Sequence, residues 1–300
     1  MGENEKMLTI RTDIAAEAHE LWRENAENTT ELSGICAREE RVNGYAVNRV
    51  EILDSKGART LGKPQGTYLT LDFSTLRHGD GDAFAQAVEA IAQLLTPMLP
   101  DQGTVLVAGI GNRRMTPDAL GPLTLEHLLV TRHLGEVLPS FRPVAAIGAG
   151  VLGTTGMEVA EWVHGVAQRL QPSAVILVDA LAARSLDRLC TTVQMADSGL
   201  VPGSGVGNHR KALTRDTLGI PVLSVGLPTV VDAATLARDL VEQCGGAVDR
   251  ATLPQGGSSL FVTPDSIDAK IAEMAKLIGY GLNLALQPHL TFADMTALLE

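Results

Sequence analysis

The sequence predicts an α/β fold: a mainly parallel sheet with helices on both faces, carrying a small antiparallel layer at its N-terminal end. Three observations lead there. Four apolar runs, TVLVAGI, PVAAIGAG, AVILVDA and IPVLSVGLP, lack hydrophobic alternation, as strands covered on both faces do. Amphipathic stretches at 123–134, 157–170 and 230–243 punctuate these runs, and strands alternating with helices form right-handed βαβ units. Upstream, ICAREE, GYAVNRVEILD and GTYLTLD read as short strands separated by glycine-containing turns, the pattern of an antiparallel layer.

In chain order, residues 13–27 place charged and apolar residues at helical spacing, and the short strands complete an N-terminal β-rich layer over 14–76. The segment 83–99, AFAQAVEAIAQLLTPML, is a helix that opens an α/β core extending to 243. A glycine-rich break at 245–257 precedes a closing helix over 264–287, which Thr263 is expected to cap and Pro264 to start. Repeats and low-complexity tracts are absent from the sequence.

A chain of 300 residues with 45% hydrophobic content can bury a substantial core as one large domain. Its net charge of −11 argues against nucleic-acid binding, which relies on a basic face. No run approaches the roughly 20 apolar residues that span a bilayer, and MGENEKMLTIRTD has no signal-peptide core, so a cytoplasmic location without a membrane partner is expected. Cys36, Cys190 and Cys244 are odd in number and widely spaced, and read as reduced thiols rather than a disulfide framework or zinc site.

Ligands and catalytic groups of open parallel sheets gather at the carboxyl ends of the strands. Two such ends carry an aspartate. The first core strand runs into GIGNRRMTPDALGP, where Gly109 and Gly111 permit a tight turn and Pro117 fixes the backbone before Asp118. The run AVILV ends on Asp179, and a carboxylate attached to an apolar strand is costly unless paired or hydrogen-bonded. Each could instead cap the following helix. Brought together, two carboxyls cannot both ionise easily, so one keeps its proton while the other activates a water. That water attacks a carbonyl polarised by the protonated member, with no metal, cofactor or nucleophilic side chain required.

Other motifs are weaker. GIGNRR departs from the dinucleotide fingerprint at Arg114, and GSGVGNHRK lacks the order of a phosphate loop, reading better as a substrate-lining loop. HExxH and GxSxG are absent, His127 and His133 do not share a helical face, and Glu158 and Asp232 sit where helix capping is the default.

Together, GIGN with TPDALGP, GTTGMEVAEWVHG, VDALAARSLDRL, DSGLVPGSGVGN, TLGIPVLSVGLPTVVDAATL and FVTPDSID with GLNLAL resemble the germination proteases, also called spore proteases, over about residues 11–288. The resemblance implies an atypical aspartic endopeptidase that degrades small acid-soluble spore proteins during germination, made as a tetrameric zymogen that processes its own N-terminus. It implies catalytic roles for Asp118 and Asp179 and a fold similar to that of hydrogenase maturation endopeptidases; beside them, Ala119, Leu120, Gly121, Gly203, Ser204, Gly205, Gly207 and Asn208 are read as shaping the cleft. RTDIAAEA at 11–18 looks like the site the family cuts, so self-cleavage between Asp13 and Ile14 is expected, with 1–13 as propeptide and 14–300 as a single peptidase domain. One departure is the short glycine-rich stretch after residue 243, where many family members carry a long insertion. Two rival readings stay open: a nickel-dependent peptidase of the hydrogenase-maturation type, and a non-catalytic protein binding a ligand at the strand ends.

Overall fold

The computed structural model describes residues 12–25, 32–77, 79–204, 210–246 and 260–299. Its strands are β1 (Ile35–Val42), β2 (Tyr45–Ile52), β3 (Gly66–Asp72), β4 (Val105–Ile110), β5 (Val144–Gly150), β6 (Ala174–Ala183), β7 (Thr192–Ala196), β8 (Val222–Asp232) and β9 (Phe261–Val262). They form one sheet in the order β1-β2-β3-β7-β8-β6-β4-β5, with β9 paired to β8.

This corrects the expectation of a mainly parallel sheet. The pairings β4 with β5, β4 with β6 and β6 with β8 are parallel, while β1 with β2, β2 with β3, β3 with β7, β7 with β8 and β8 with β9 are antiparallel. The N-terminal strands also continue the core sheet instead of forming a separate layer. The cause is β7, five residues long, which joins β3 to β8. The connection from β6 to β7 holds only a short 3₁₀ turn, Leu186–Arg188, too little for the crossover that a parallel pairing requires.

The helices are α1 (Ala15–Asn25), α2 (Ser55–Leu61), α3 (Gly81–Leu95), α4 (Leu120–Leu125), α5 (Leu152–Thr155), α6 (Val159–Leu170), α7 (Arg215–Leu218), α8 (Ala233–Gln243), α9 (Ile267–Leu286) and α10 (Phe292–Leu299). The central strands are covered on both faces. Val105 and Val107 of β4, with Ile176 and Val178 of β6, pack in the core that holds Ile91 of α3 and Leu277 of α9. Their neighbours Leu106, Ala108, Val175 and Leu177 turn to the opposite face and meet Val159 and Val163 of α6. Burial on both sides explains why these runs carry no alternation.

Two helix expectations change. The amphipathic stretch at 123–134 is helical only to Leu125, followed by turns and a 3₁₀ segment, Arg132–Leu134. The closing helix begins at Ile267, because the Thr263 hydroxyl donates to the Thr229 carbonyl of β8 at 2.9 Å rather than capping the helix. Among the described residues, no helix is long and apolar enough to cross a membrane.

Candidate active site

Asp118 owes its position to the turn that leaves β4. Gly111 takes φ +124°, and a Cβ there would lie 2.0 Å from the Asp118 carbonyl oxygen, so the turn requires glycine. Asp118 closes the 3₁₀ segment Thr116–Asp118, and its Oδ2 accepts a 2.8 Å hydrogen bond from the Asn112 backbone N–H. The Thr229 hydroxyl donates to the Pro117 carbonyl at 2.7 Å, tying this loop to β8. Behind it, Ala119 and Leu120 are buried, and a Cβ on Gly121 would lie 2.3–2.6 Å from Ile110 and Val178 backbone atoms. These three residues support the Asp118 loop by close packing on β4 and β6.

Asp179 does not end its strand, since β6 continues to Ala183. It stands one residue beyond the last β6 partner of β4, the Gly109–Val178 pair, and opposite Gly226 of β8. Asp118, Asp179, Asp13 and Arg210 line one cavity of about 550 Å³, with Thr229, Thr263 and Phe261 along its wall.

Both carboxyls hold their protons more tightly than ordinary aspartates. Burial raises the pKa of Asp118, against which the Asn112 N–H and the Arg210 charge act. Asp179, only 5% exposed, is pushed well above the ordinary range by burial first and then by the charges of Asp118 and Asp13. The Ala180 N–H and Arg210 oppose that shift. The environments therefore separate the two groups, with Asp179 the stronger proton holder. Among the described residues, the buried Nη1 of Arg210 has no hydrogen-bond partner. Among the described residues, no group of three or more His, Cys, Asp or Glu side chains is arranged to hold a metal ion.

Residues 12–17 of the chain itself lie beside this site, with Asp13 lining the cavity. The Asp13 N–H donates to the Ala182 carbonyl at 2.8 Å, and the Ala182 N–H returns a 2.9 Å bond to Asp13 Oδ2. The Ser204 hydroxyl donates to Asp13 Oδ1 at 2.8 Å, and Lys63 Nζ donates to the Thr12 carbonyl at 3.1 Å. Ile14 is fully buried with Ala183, Leu189 and Val231. Glu17, buried before α1 has completed a turn, accepts from the Arg184 and Ser185 backbone N–H groups at 2.7 and 3.0 Å and from the Thr12 hydroxyl, with Arg188 nearby. Burial raises its pKa despite these partners. A second cavity, about 200 Å³, is lined by Thr12, Asp13, Lys63, Tyr68, Asp179 and Gln194.

The structure thus brings Asp118, Asp179, Asp13, Gly203 and Ser204 together, while Gly205, Gly207 and Asn208 lie outside the described residues. Sequence reasoning missed Lys63 and Gln194. A glutamine inside the otherwise apolar TVQMA run was the available signal for the second, whereas nothing local marks Lys63.

A family model described as germination protease matches residues 15–250. Similar proteins include the germination protease of Caldanaerobacter subterraneus subsp. tengcongensis, 40% identical with 98% of this chain and 99% of the relative covered. That of Clostridium perfringens is 37% identical over 98% of this chain and all of the relative, and that of a Geobacillus species 35% identical over 93% and 94%. Among solved structures, a NiFe hydrogenase maturation protease from Thermococcus kodakarensis is 18% identical with a TM-score of 0.36, covering 63% of this chain and 98% of that one. The near-complete coverage in both directions, with the matched model spanning most of the chain, makes this protein a member of the germination protease family.

Proposed function

We propose that the protein is an endopeptidase that initiates degradation of small acid-soluble spore proteins during germination, using Asp118 and Asp179 to activate water. It acts in the spore cytoplasm as a homotetramer, and it is made as a zymogen whose residues 1–13 are removed by self-cleavage between Asp13 and Ile14. The observation that carries this reading is the shared cavity: both carboxyls face it, and Asp13 of the chain itself is held there.

In this mechanism Asp118, the less perturbed acid and the one bonded to the Asn112 N–H, is the ionised member and takes a proton from the attacking water. Asp179 enters protonated, hydrogen-bonds the scissile carbonyl and delivers its proton to the leaving amine. Since the two titrate as a pair, the apparent values observed in kinetics belong to the dyad. Ser204 and the Ala182 N–H suit an acidic side chain before the cut, and the Ala183, Leu189 and Val231 pocket suits an aliphatic one after it.

Incubation of the purified chain at mildly acidic pH followed by N-terminal sequencing tests this. A new terminus at Ile14, dependent on both aspartates and followed by cleavage of a spore protein, is expected. A cut elsewhere, or none, would contradict self-processing. Loss of the cleavage on chelation would favour a metal-dependent reaction instead.

A further inference from the structure

Gln194 lies in β7, in the middle of the sheet, opposite Gly226 of β8 and Thr70 of β3, and is 7% exposed. Neither of its amide groups is satisfied by the sheet. Nε2 donates to the Asp13 carbonyl oxygen at 3.0 Å, and Oε1 accepts from the Ala15 N–H at 2.7 Å. A carbonyl can only accept and a backbone N–H can only donate, so these partners fix which way the amide points. The Asp13–Ile14 bond lies between the two contacts.

We propose that Gln194 is a positioning residue for self-cleavage, gripping the chain on both sides of the Asp13–Ile14 bond and donating to the oxygen of the carbonyl that is attacked. The role rests on the self-processing reading above. Ala182 also holds Asp13 through its N–H and carbonyl, and the buried Ile14 side chain fixes the leaving side. Between these anchors the carbonyl has little freedom to rotate, so the entropy of orienting it is paid before the reaction.

In the reaction, the water oxygen bonds to the Asp13 carbonyl carbon and the bond to the Ile14 nitrogen breaks. One water proton passes to the dyad, the dyad supplies one to the departing amine, and the water hydroxyl completes the new Asp13 α-carboxyl group. As water adds, the carbonyl oxygen gains negative charge, so the hydrogen bond it accepts from Gln194 Nε2 strengthens at that moment. Removing one such donor costs on the order of 10²–10³ in rate in other hydrolases. A purely structural glutamine, present only to dock the N-terminal segment, would affect melting without affecting the rate in folded molecules.

The test uses the full-length chain and two substitutions, Gln194→Ala and Gln194→Glu. The first-order appearance of the Ile14 terminus is followed by intact mass at several pH values, with thermal melting as the fold check. The role predicts that Gln194→Ala stays folded and cuts at least about tenfold slower. Gln194→Glu keeps the acceptor for Ala15 but loses the donor when ionised. Burial favours the protonated form of the new carboxyl, which can still donate, so the rate relative to wild type should be closest to one at acidic pH and fall toward that of Gln194→Ala as rising pH ionises it. If Gln194→Ala does not fold, the pH-dependent recovery of Gln194→Glu decides. A wild-type rate in folded Gln194→Ala, or a Gln194→Glu ratio that does not change with pH, overturns the role while leaving self-processing intact. A wild-type chain that never yields the Ile14 terminus overturns both.

Discussion

Replacing Asp179 with Asn should make the protein more stable and almost inactive, and the stabilisation should depend on pH. Asp179 is 5% exposed, and its ionised form lies near the charges of Asp118 and Asp13. Burying an ion costs several kcal/mol after relaxation. The Ala180 N–H and Arg210 return part of that, about 1–3 kcal/mol, while the neighbouring carboxylates add to it. A net penalty of about 2 kcal/mol is therefore expected for the ionised side chain, and an isosteric amide that still accepts from Ala180 avoids it. For a chain of this length such a gain raises Tm by about 4 °C. The folded-state pKa is raised, so the native state binds the extra proton and stability is fully present below the ordinary carboxylate range. It is lost as pH rises through the folded pKa. The Asn side chain does not titrate. The advantage of Asp179→Asn should be absent below the ordinary carboxylate range and grow as pH rises toward the raised folded-state pKa. Thermal unfolding across this range, on chains confirmed uncut by mass, measures it. Cleavage of a spore protein by the variant should fall by about 10²–10⁴, the contribution of a positioned general acid. A variant no more stable than wild type near neutrality, or one whose advantage is the same at every pH, would refute the assignment of Asp179 as the buried proton holder.

Other substitutions probe the supports. Gly111→Ala forces a Cβ into the Asp118 carbonyl and a strained φ, so a loss of about 1–3 kcal/mol with a lower kcat is expected, read by thermal melting and peptide hydrolysis. Glu17→Ala leaves the Arg184 and Ser185 N–H groups without their acceptor; a cost of about 1–3 kcal/mol and slower appearance of the Ile14 terminus should be seen in the uncut chain. Ile14→Ala opens a cavity beside Ala183, Leu189 and Val231, which should lower uncut-chain stability by about 2–4 kcal/mol in chemical denaturation.

The parts of the fold legible in the sequence are those whose physics is local. β4, β6 and β8 were visible because strands buried on both faces need uninterrupted apolar runs, and α9 because its apolar run is long. β7 was not, since five residues of TVQMA carry too little pattern, and missing it left the N-terminal strands without their link to the core. Asp118 and Asp179 stood out as charges beside apolar strands, yet their shared cavity depends on the parallel register of β4 with β6. The seating of Asp13 was beyond reach of sequence spacing. Its carbonyl meets a side chain 181 residues away, and its carboxylate meets Ser204, 191 residues away.

The central claim, that Asp118 and Asp179 together carry out hydrolysis, is tested most directly by following the Ile14 terminus in wild type, Asp118→Asn and Asp179→Asn under one mildly acidic condition, with melting curves for each. The dyad predicts that wild type is processed while both folded variants keep their original terminus. A folded Asp118→Asn or Asp179→Asn chain that cuts itself at the wild-type rate would contradict it.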